Sequence, residues 1–367
     1  MRGRLFRLVV VVTISVLALA ARRQTAQPSF VVHEWGTFTS IAAADGQAVQ
    51  WMPLNGQQDL PCFVERSQAN TKVSTLGTVR METPVLYFYS PRPVDAAVQV
   101  GFPQGLLTEW YPHATVPPPS ASVGGQISWP IVTVQPGAKE SFPTDSTASH
   151  YYAARQTDAD PIRVGAKPEK FLFYRGVGQF QPPLSAVANE HGGVAIRNRR
   201  GTPLGSLVFF ENRGGAMTFS VHDLATAAAV LPRPSLDDAS GAPVADLKRI
   251  LMRSGLYARE AQAMVDTWKD SWFEEGSRLL YVVPRADVDT ILPLTISPKP
   301  PNVTRVFIGR IELATPATMH DVRAAIESGD RAALATYGRF LQPIAERLGL
   351  SAKIPQELYA APATACR

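Results

Sequence analysis

The sequence predicts a mainly β protein, in which an antiparallel β-sandwich-like N-terminal domain is followed by an α+β C-terminal domain. Its 31 proline and 26 glycine residues indicate frequent turns. Between the turns lie short segments that are rich in aromatic and β-branched residues, as strands are. Beyond residue 243 the apolar residues recur at helical spacing instead, so the chain divides into a β-rich part and a mixed part.

The N-terminus has the features of a secretory signal peptide. Arg2, Arg4 and Arg7 precede an almost wholly apolar run, Leu8–Ala20, which ends in small residues. Residues 1–20 are therefore predicted to be a cleaved signal, and residues 21–29 a linker. An uncleaved anchor is the alternative, but the run is shorter than the ~20 residues of a transmembrane helix. We expect an exported protein, periplasmic or extracellular, with no transmembrane span after cleavage.

Residues 30–231 are predicted to form the β-rich, sandwich-like domain. Its first strand is 30–41, and the strongest strand signal is 81–90, METPVLYFYS, with its aromatic and β-branched side chains. Turn residues separate strand after strand, which is typical of a sandwich or barrel. Further strands are predicted at 97–102, 106–111, 127–134, 170–175, 194–197, 206–211 and 216–222.

The C-terminal part begins after a linker at residues 232–243, PRPSLDDASGAP, whose prolines and polar residues favour a domain boundary. Residues 244–367 are predicted to form the α+β domain. A helix over 258–273 places its apolar residues on one face, which indicates a packing surface. These residues are Ala261, Met264, Val265, Trp268 and Trp272.

Composition argues against a nucleic-acid partner. The net charge is +5, and removal of Arg2, Arg4 and Arg7 with the signal leaves +2. Nucleic-acid binding requires a basic patch, and the mature chain has no long run of Lys or Arg. The two cysteines, Cys62 and Cys366, could form a disulfide in an oxidising compartment or remain two unrelated thiols.

The candidate chemistry lies in two segments that each contain a Glu-Trp pair. His33 and Glu34 are adjacent in the first, and Glu109 and His113 lie close together in the second. His33 and His113 are candidate metal ligands, with carboxylates completing the site of a divalent metal. The geometry of a strand is an objection to this hypothesis, because neighbouring residues in a regular strand point to opposite faces. His33 and Glu34 could reach one ion only across a bulge, which Gly36 would permit.

A second hypothesis assigns catalysis to the carboxylates Glu34, Glu82 and Glu109. Apolar strands around them could raise the pKa of a carboxyl toward acid–base use. Structural ion pairs with arginines such as Arg80, Arg92 or Arg175 are the alternative explanation. Trp35, Trp110 and Arg175 are the candidate ligand-binding residues, the tryptophans as a stacking platform for sugar rings.

Several segments resemble a family of exported bacterial proteins that has no assigned activity. They are HEWGTFTS near the mature N-terminus, METPVLYFYSP, TEWYPHA, FLFYRGVG, SWFEEGSRLLYVVPR and RVFIGRIEL. The resemblance covers nearly all of the mature chain, and it implies kinship and export without a mechanism.

The sequence thus favours a non-catalytic binding module of the periplasm or envelope, with a glycan or a protein as ligand. The alternative is a metal- or carboxylate-dependent hydrolase that uses the His33/Glu34 and Glu109/His113 region. The hydrolase hypothesis requires at least three of His33, Glu34, Glu82, Glu109 and His113 to surround one concave site.

Overall fold

The structure is a computed structural model. It describes residues 29–54, 59–67, 76–118, 124–146, 149–201, 203–224, 227–237 and 241–358. Cys366 and the predicted signal peptide lie outside the described residues, so the pairing of Cys62 with Cys366 and the signal cleavage stay predictions.

A nine-stranded sheet forms the centre of the molecule, with the strand order β13-β12-β15-β17-β1-β3-β9-β5-β2. All neighbours pair antiparallel except β1 and β17, which run parallel from Val31 opposite Asn302 to Ala42 opposite Leu313. Its strands are β1 (Val31–Ala42), β2 (Glu65–Arg66), β3 (Val79–Tyr89), β5 (Gly105–Tyr111), β9 (Leu172–Gly178), β12 (Gly205–Arg213), β13 (Ala216–Leu224), β15 (Gly276–Val282) and β17 (Asn302–Leu313).

Two smaller sheets complete the β structure. The five-stranded sheet has the order β16-β4-β6-β7-β8 and the three-stranded sheet the order β10-β11-β14. Their strands are β4 (Val94–Phe102), β6 (Gly125–Val134), β7 (Ile162–Val164), β8 (Lys167–Glu169), β10 (Leu184–Ala188), β11 (Val194–Asn198), β14 (Ala228–Leu231) and β16 (Leu294–Ser297).

The α-helices of the described chain lie in its C-terminal part. They are α1 (Val244–Arg253), α2 (Ala258–Trp272), α3 (Arg285–Ile291), α4 (Pro316–Ser328), α5 (Arg331–Ala335) and α6 (Leu341–Arg347). Short 3₁₀ helices occur at His150–Arg155, Gly338–Phe340, Ser351–Lys353 and Gln356–Leu358. The prediction of a mainly β fold with an α+β C-terminal part is confirmed. Among the described residues, no helix is both long and apolar enough to span a membrane.

Side-chain alternation gives the central sheet two different faces. On one face Val32, Phe38 and Phe88 pack with residues of the two smaller sheets, such as Val100 and Ile196. This packing of sheet against sheet is the sandwich-like part of the fold.

Helices cover the other face. There Trp35 and Tyr87 share a core with Met264 and Trp268 of α2, and a third core joins Ile41 to Leu341 and its neighbours in α6. The apolar stripe of α2 is thus the packing surface that the helical spacing predicts.

The central sheet contains strands from both sides of the predicted linker at residues 232–243. Strands β15 and β17 follow residues 232–243 in sequence, yet they lie between β12 and β1 inside the nine-stranded sheet. The linker therefore joins two parts of one sheet, because the backbone hydrogen bonds of β1 and β12 are completed by strands from the C-terminal part.

Candidate functional site

The structure places the adjacent residues His33 and Glu34 on opposite faces of the central sheet. His33 lies on the helix-covered face, where its Nδ1 is 2.8 Å from Oε2 of Glu260 in α2. Glu260 also accepts hydrogen bonds from the Tyr89 hydroxyl, at 2.7 Å, and from the backbone N–H of Tyr257, at 2.7 Å. His33 thus fastens the start of helix α2 to the sheet.

Glu34 is buried on the sandwich side. The Tyr174 hydroxyl donates to its Oε1 at 2.5 Å, and the Arg305 guanidinium donates to its Oε2. Arg305 also donates to Asp289, at 2.8 Å, and to the carbonyl oxygen of Leu292, at 2.7 Å. Both carboxylate oxygens of Glu34 are therefore engaged within the packed core.

The pairing of β1 with β3 shifts register at Gly36, but the extra residue lies on β3 and β1 itself stays regular, so no bulge brings His33 and Glu34 to one ion. Trp35 pairs with Val85 and Thr37 with Glu82, so the register between β1 and β3 shifts at Gly36. A side chain at this position would collide with the Phe307 ring, since an added Cβ would lie 2.7 Å from Cε1. The shift follows His33 and Glu34 in the chain and leaves both on their own faces.

The two predicted tryptophans do not form an open stacking platform. Trp35 is completely buried in the core under α2, and Trp110 is 9% exposed. The indole N–H of Trp110 donates to Glu65 at 2.8 Å, and His113, which is 79% exposed, also contacts Glu65. Burial of both rings removes the faces that a sugar would need.

The predicted metal ligands are separated in the same way. His33 contacts Glu260, whereas His113 contacts Glu65 near the sheet edge formed by β2. Among the described residues, no three His, Cys, Asp or Glu side chains are placed to hold a metal ion.

Glu82, Glu109 and Arg175, in contrast, contribute to one region of charge. Arg80 and Glu82 are separated by one residue on β3, so both point to the helix-covered face. In the sheet register Thr39 lies between Arg80 and Arg310, and Thr37 lies opposite Glu82. Glu109 lies opposite Arg175 in the pairing of β5 with β9. We call this group the polar belt: Thr37, Thr39, Arg80, Glu82, Glu109, Arg175 and Arg310.

The backbone is strained beside Glu82. Thr83 has φ of 45°, which is unfavourable for a β-branched residue. It lies in the register shift between β3 and β9, and its hydroxyl accepts hydrogen bonds from Arg175 Nε, at 3.2 Å, and Nη2, at 3.1 Å. Strain of this kind often marks functional sites, and here it positions the arginine.

A cavity of about 340 Å³ lies over the polar belt. Its floor is formed by Arg80 and Glu82 of β3, and its walls come from the C-terminal half of α2 and from the segment after α5. We call it the belt cavity. It is lined by Asp59, Arg80, Glu82, His150, Thr267, Trp268, Asp270, Ser271, Glu274, Ala335, Thr336, Gly338 and Arg339.

An arginine neutralises each of three carboxylates in this lining. Arg175 binds both oxygens of Asp59, at 2.7 and 2.8 Å. Arg339 lies 2.7 Å from Glu82, and Arg310 lies 2.6 Å from Glu274. All three carboxylates are therefore held in ion pairs.

The ion pairs decide the protonation state of two of these acids. Burial alone would raise the pKa of both carboxyls, but for Asp59 the charge of Arg175 outweighs burial and lowers the pKa well below its ordinary value of 3.8. The pKa of Glu82 is likewise lowered, because Arg339 and Arg80 outweigh its burial. Both carboxyls are ionised at neutral pH.

Several buried polar atoms of the polar belt and of the cavity lining have no hydrogen-bond partner in the described part of the chain. They include Thr37 Oγ1, Thr39 Oγ1, Glu82 Oε1, Trp268 Nε1, Arg310 Nε and Arg339 Nη2. Of these, Glu82, Trp268 and Arg339 line the cavity, and Glu82 Oε1 and Arg339 Nη2 lie 2.7 Å apart as an ion pair. Buried polar groups are normally satisfied, so the Trp268 indole N–H is a donor that a polar ligand in the cavity could engage.

Comparisons with known proteins do not assign this site. No family model matches the chain, and no curated protein matches it. A solved structure that it resembles is the Fcho1 Mu homology domain of Danio rerio with bound Eps15 peptide, at 8% identity and a TM-score of 0.31. The match covers 78% of this chain and 96% of that chain, and a likeness at this level carries no argument about fold or function.

Sequence reasoning missed most of the residues that line the belt cavity. Asp59, Trp268 and Arg339 are distant from one another in sequence and meet only through tertiary structure. One signal was present: Arg80 and Glu82 share one face of a strand that is otherwise strongly apolar. Arg310 and Glu312 repeat this pattern in β17.

Proposed function

We propose that the protein is an exported, non-catalytic binding module of the periplasm or cell envelope, and that its ligand enters the belt cavity. The observation that carries this proposal is an open cavity lined by charged side chains, in which the Trp268 indole N–H has no hydrogen-bond partner among the described residues and Glu82 meets Arg339 only as an ion pair. The volume of about 340 Å³ is in the range of small-molecule sites. A small polar ligand such as a short glycan fragment therefore fits better than the surface of a protein.

The charge state of the lining supports binding over hydrolysis. A general acid needs a raised pKa so that it holds a proton near neutral pH. The pKa values of Asp59 and Glu82 are lowered instead, after burial is offset by their arginines. A carboxylate that is held in an ion pair is also a weak base. These two residues suit fixed hydrogen-bond acceptors for a ligand.

A ligand screen with two matched variants tests the site. The mature protein is mixed with a library of neutral sugars, acidic sugars, amino acids and organic acids, and the melting temperature is measured. Compounds that raise it are titrated by calorimetry. Ala335→Trp places a ring in the lining of the cavity, whereas Ala332→Trp lies on the same short helix at an exposed position outside the lining.

The expected result is binding that Ala335→Trp abolishes and Ala332→Trp preserves. A ligand that binds equally to both variants would place the site elsewhere, and a library without any ligand would refute the proposal. Export is tested separately in a bacterial host: the protein recovered from the periplasm should lack residues 1–20, as its intact mass will show.

A further inference from the structure

Arg80 differs from the other arginines around the belt cavity. Its side chain is only 9% exposed, and it lines the cavity. Its Nη1 donates to the carbonyl oxygen of Pro53. Within the described ranges no carboxylate forms an ion pair with it, whereas Arg175, Arg310 and Arg339 each have one. A guanidinium carries five N–H donors, so a single carbonyl leaves most of them for another acceptor.

The charge of Arg80 is retained despite this burial. Burial lowers the pKa of Arg80, and Glu82 only partly offsets the effect. An arginine nevertheless stays protonated in proteins. The protein thus keeps a buried positive charge beside a cavity, which is costly without a partner.

A second guanidinium lies at the same cavity. Arg339 is 15% exposed, and its Nη2 lies 2.7 Å from Glu82 Oε1 in an ion pair that lacks hydrogen-bond geometry. Its guanidinium carbon lies 5.1 Å from the centre of the Phe340 ring and 6.0 Å from that of Trp51. These rings hold the guanidinium in place by cation–π contact.

We propose that the belt cavity binds an anionic group, a carboxylate or a phosphate, through Arg80 with the help of Arg339. This inference rests on the proposed function and names its ligand class. The planar fork of a guanidinium matches the paired oxygens of both groups. The acids and the Trp268 N–H elsewhere in the lining match hydroxyl groups, so the ligand is a small hydroxylated acid.

Three probes with the same sugar ring test the inference: glucose, glucuronate and glucose 6-phosphate. They carry a neutral, a carboxylate or a phosphate group at the same carbon. Each is titrated into the mature protein by calorimetry at constant ionic strength, with inorganic phosphate as a fourth probe. At least one of the anionic probes should bind more tightly than glucose, and the preferred one distinguishes carboxylate from phosphate.

Substitutions of arginine test whether Arg80 is the residue that binds the anionic group. Arg80→Gln should weaken the binding of the anionic probe roughly 10- to 100-fold, as expected for the loss of a charge-assisted contact. Arg92→Gln makes the same change of charge at an exposed position and should leave binding unchanged. If Arg80→Gln does not fold, Arg80→Lys keeps the charge without the planar fork and should still weaken binding.

Two outcomes overturn the inference. One is equal or tighter binding of glucose, and the other is the absence of binding by all three anionic probes. If neutral ligands from the screen still bind in a way that Ala335→Trp blocks, the binding module stands and only the anion assignment fails. If nothing in the library binds, the proposed function fails as well.

Discussion

Two buried glutamates, each paired with an arginine, differ in what surrounds them. Glu34 lies inside the packed sandwich, where Tyr174 and Arg305 engage both of its oxygens. Glu82 is buried to a similar degree, but its Oε1 makes only an ion pair with Arg339 and no hydrogen bond of normal geometry, and it lines a cavity.

The comparison separates a structural acid from a candidate binding acid. Burial and an arginine partner are common to both glutamates, so neither property indicates function by itself. The difference lies in unused hydrogen-bonding capacity beside open space. By this criterion Glu34 is a structural acid that holds the fold together, and Glu82 is the acid that lines the proposed binding cavity.

The largest expected effect on stability is at the ion pair of Glu34 with Arg305. Glu34→Gln leaves the Arg305 charge buried without its main partner, and it should lower the free energy of unfolding by about 3 kcal/mol. Denaturant unfolding measures the loss. Glu65→Gln removes an acid that is partly exposed and should cost about 0–1 kcal/mol. Similar losses for the two variants would contradict the structural role of Glu34.

A smaller effect, which depends on pH, is expected for Glu82. Its pKa is lowered in the folded protein, because Arg339 and Arg80 outweigh burial. The ionised carboxyl therefore stabilises the fold above its ordinary pKa of 4.5, and this contribution is lost as the pH falls below that value. Glu82→Gln should be less stable than the wild type by about 1–2 kcal/mol at pH 7.

The free energies of unfolding of the wild type and of Glu82→Gln should converge as the pH falls below 4.5, because protonation of Glu82 removes from the wild type the charge that the variant already lacks. Denaturant midpoints measured at several pH values provide the test. A constant difference between the curves at all pH values would mean that the Glu82 charge does not stabilise the fold.

The smallest effect is expected at Glu260, a third buried acid, which accepts hydrogen bonds from Tyr89 and from the backbone of Tyr257. Tyr89→Phe removes one donor while the His33 contact remains. This substitution should lower the free energy of unfolding by about 1 kcal/mol, which is measured as a lower denaturant midpoint. A loss as large as that of Glu34→Gln would show that Glu260 depends on a single donor.

Much of the fold could be predicted from local pattern. Strands β1 and β3 and helix α2 lie close to their predicted positions, because apolar, β-branched and aromatic residues at the right period favour the same element locally and in the tertiary structure. The central position of β15 and β17 could not be predicted in this way, since the order of strands in a sheet depends on long-range pairing.

The candidate site was predicted only in part. Glu82, Glu109 and Arg175 belong to the charged region, whereas Trp35, Trp110, His33, Glu34 and His113 serve other contacts. The adjacent Glu and Trp residues formed the predicted motif, but neighbouring residues in a strand point to opposite faces of the sheet. They therefore cannot line one site together. The spacing of Arg80 and Glu82, with one residue between them, was the better guide.

The sequence by itself determined the local geometry: Arg80 and Glu82 share a face, His33 and Glu34 do not, and the apolar stripe of α2 must be covered. Only the tertiary structure decided which acid meets which arginine. Glu34 and Arg305 are 271 residues apart, and the lining of the belt cavity comes from five separate parts of the chain, at residues 59, 80–82, 150, 267–274 and 335–339. Local alternation is set by backbone geometry, whereas ion pairs and cavities are set by how distant elements pack.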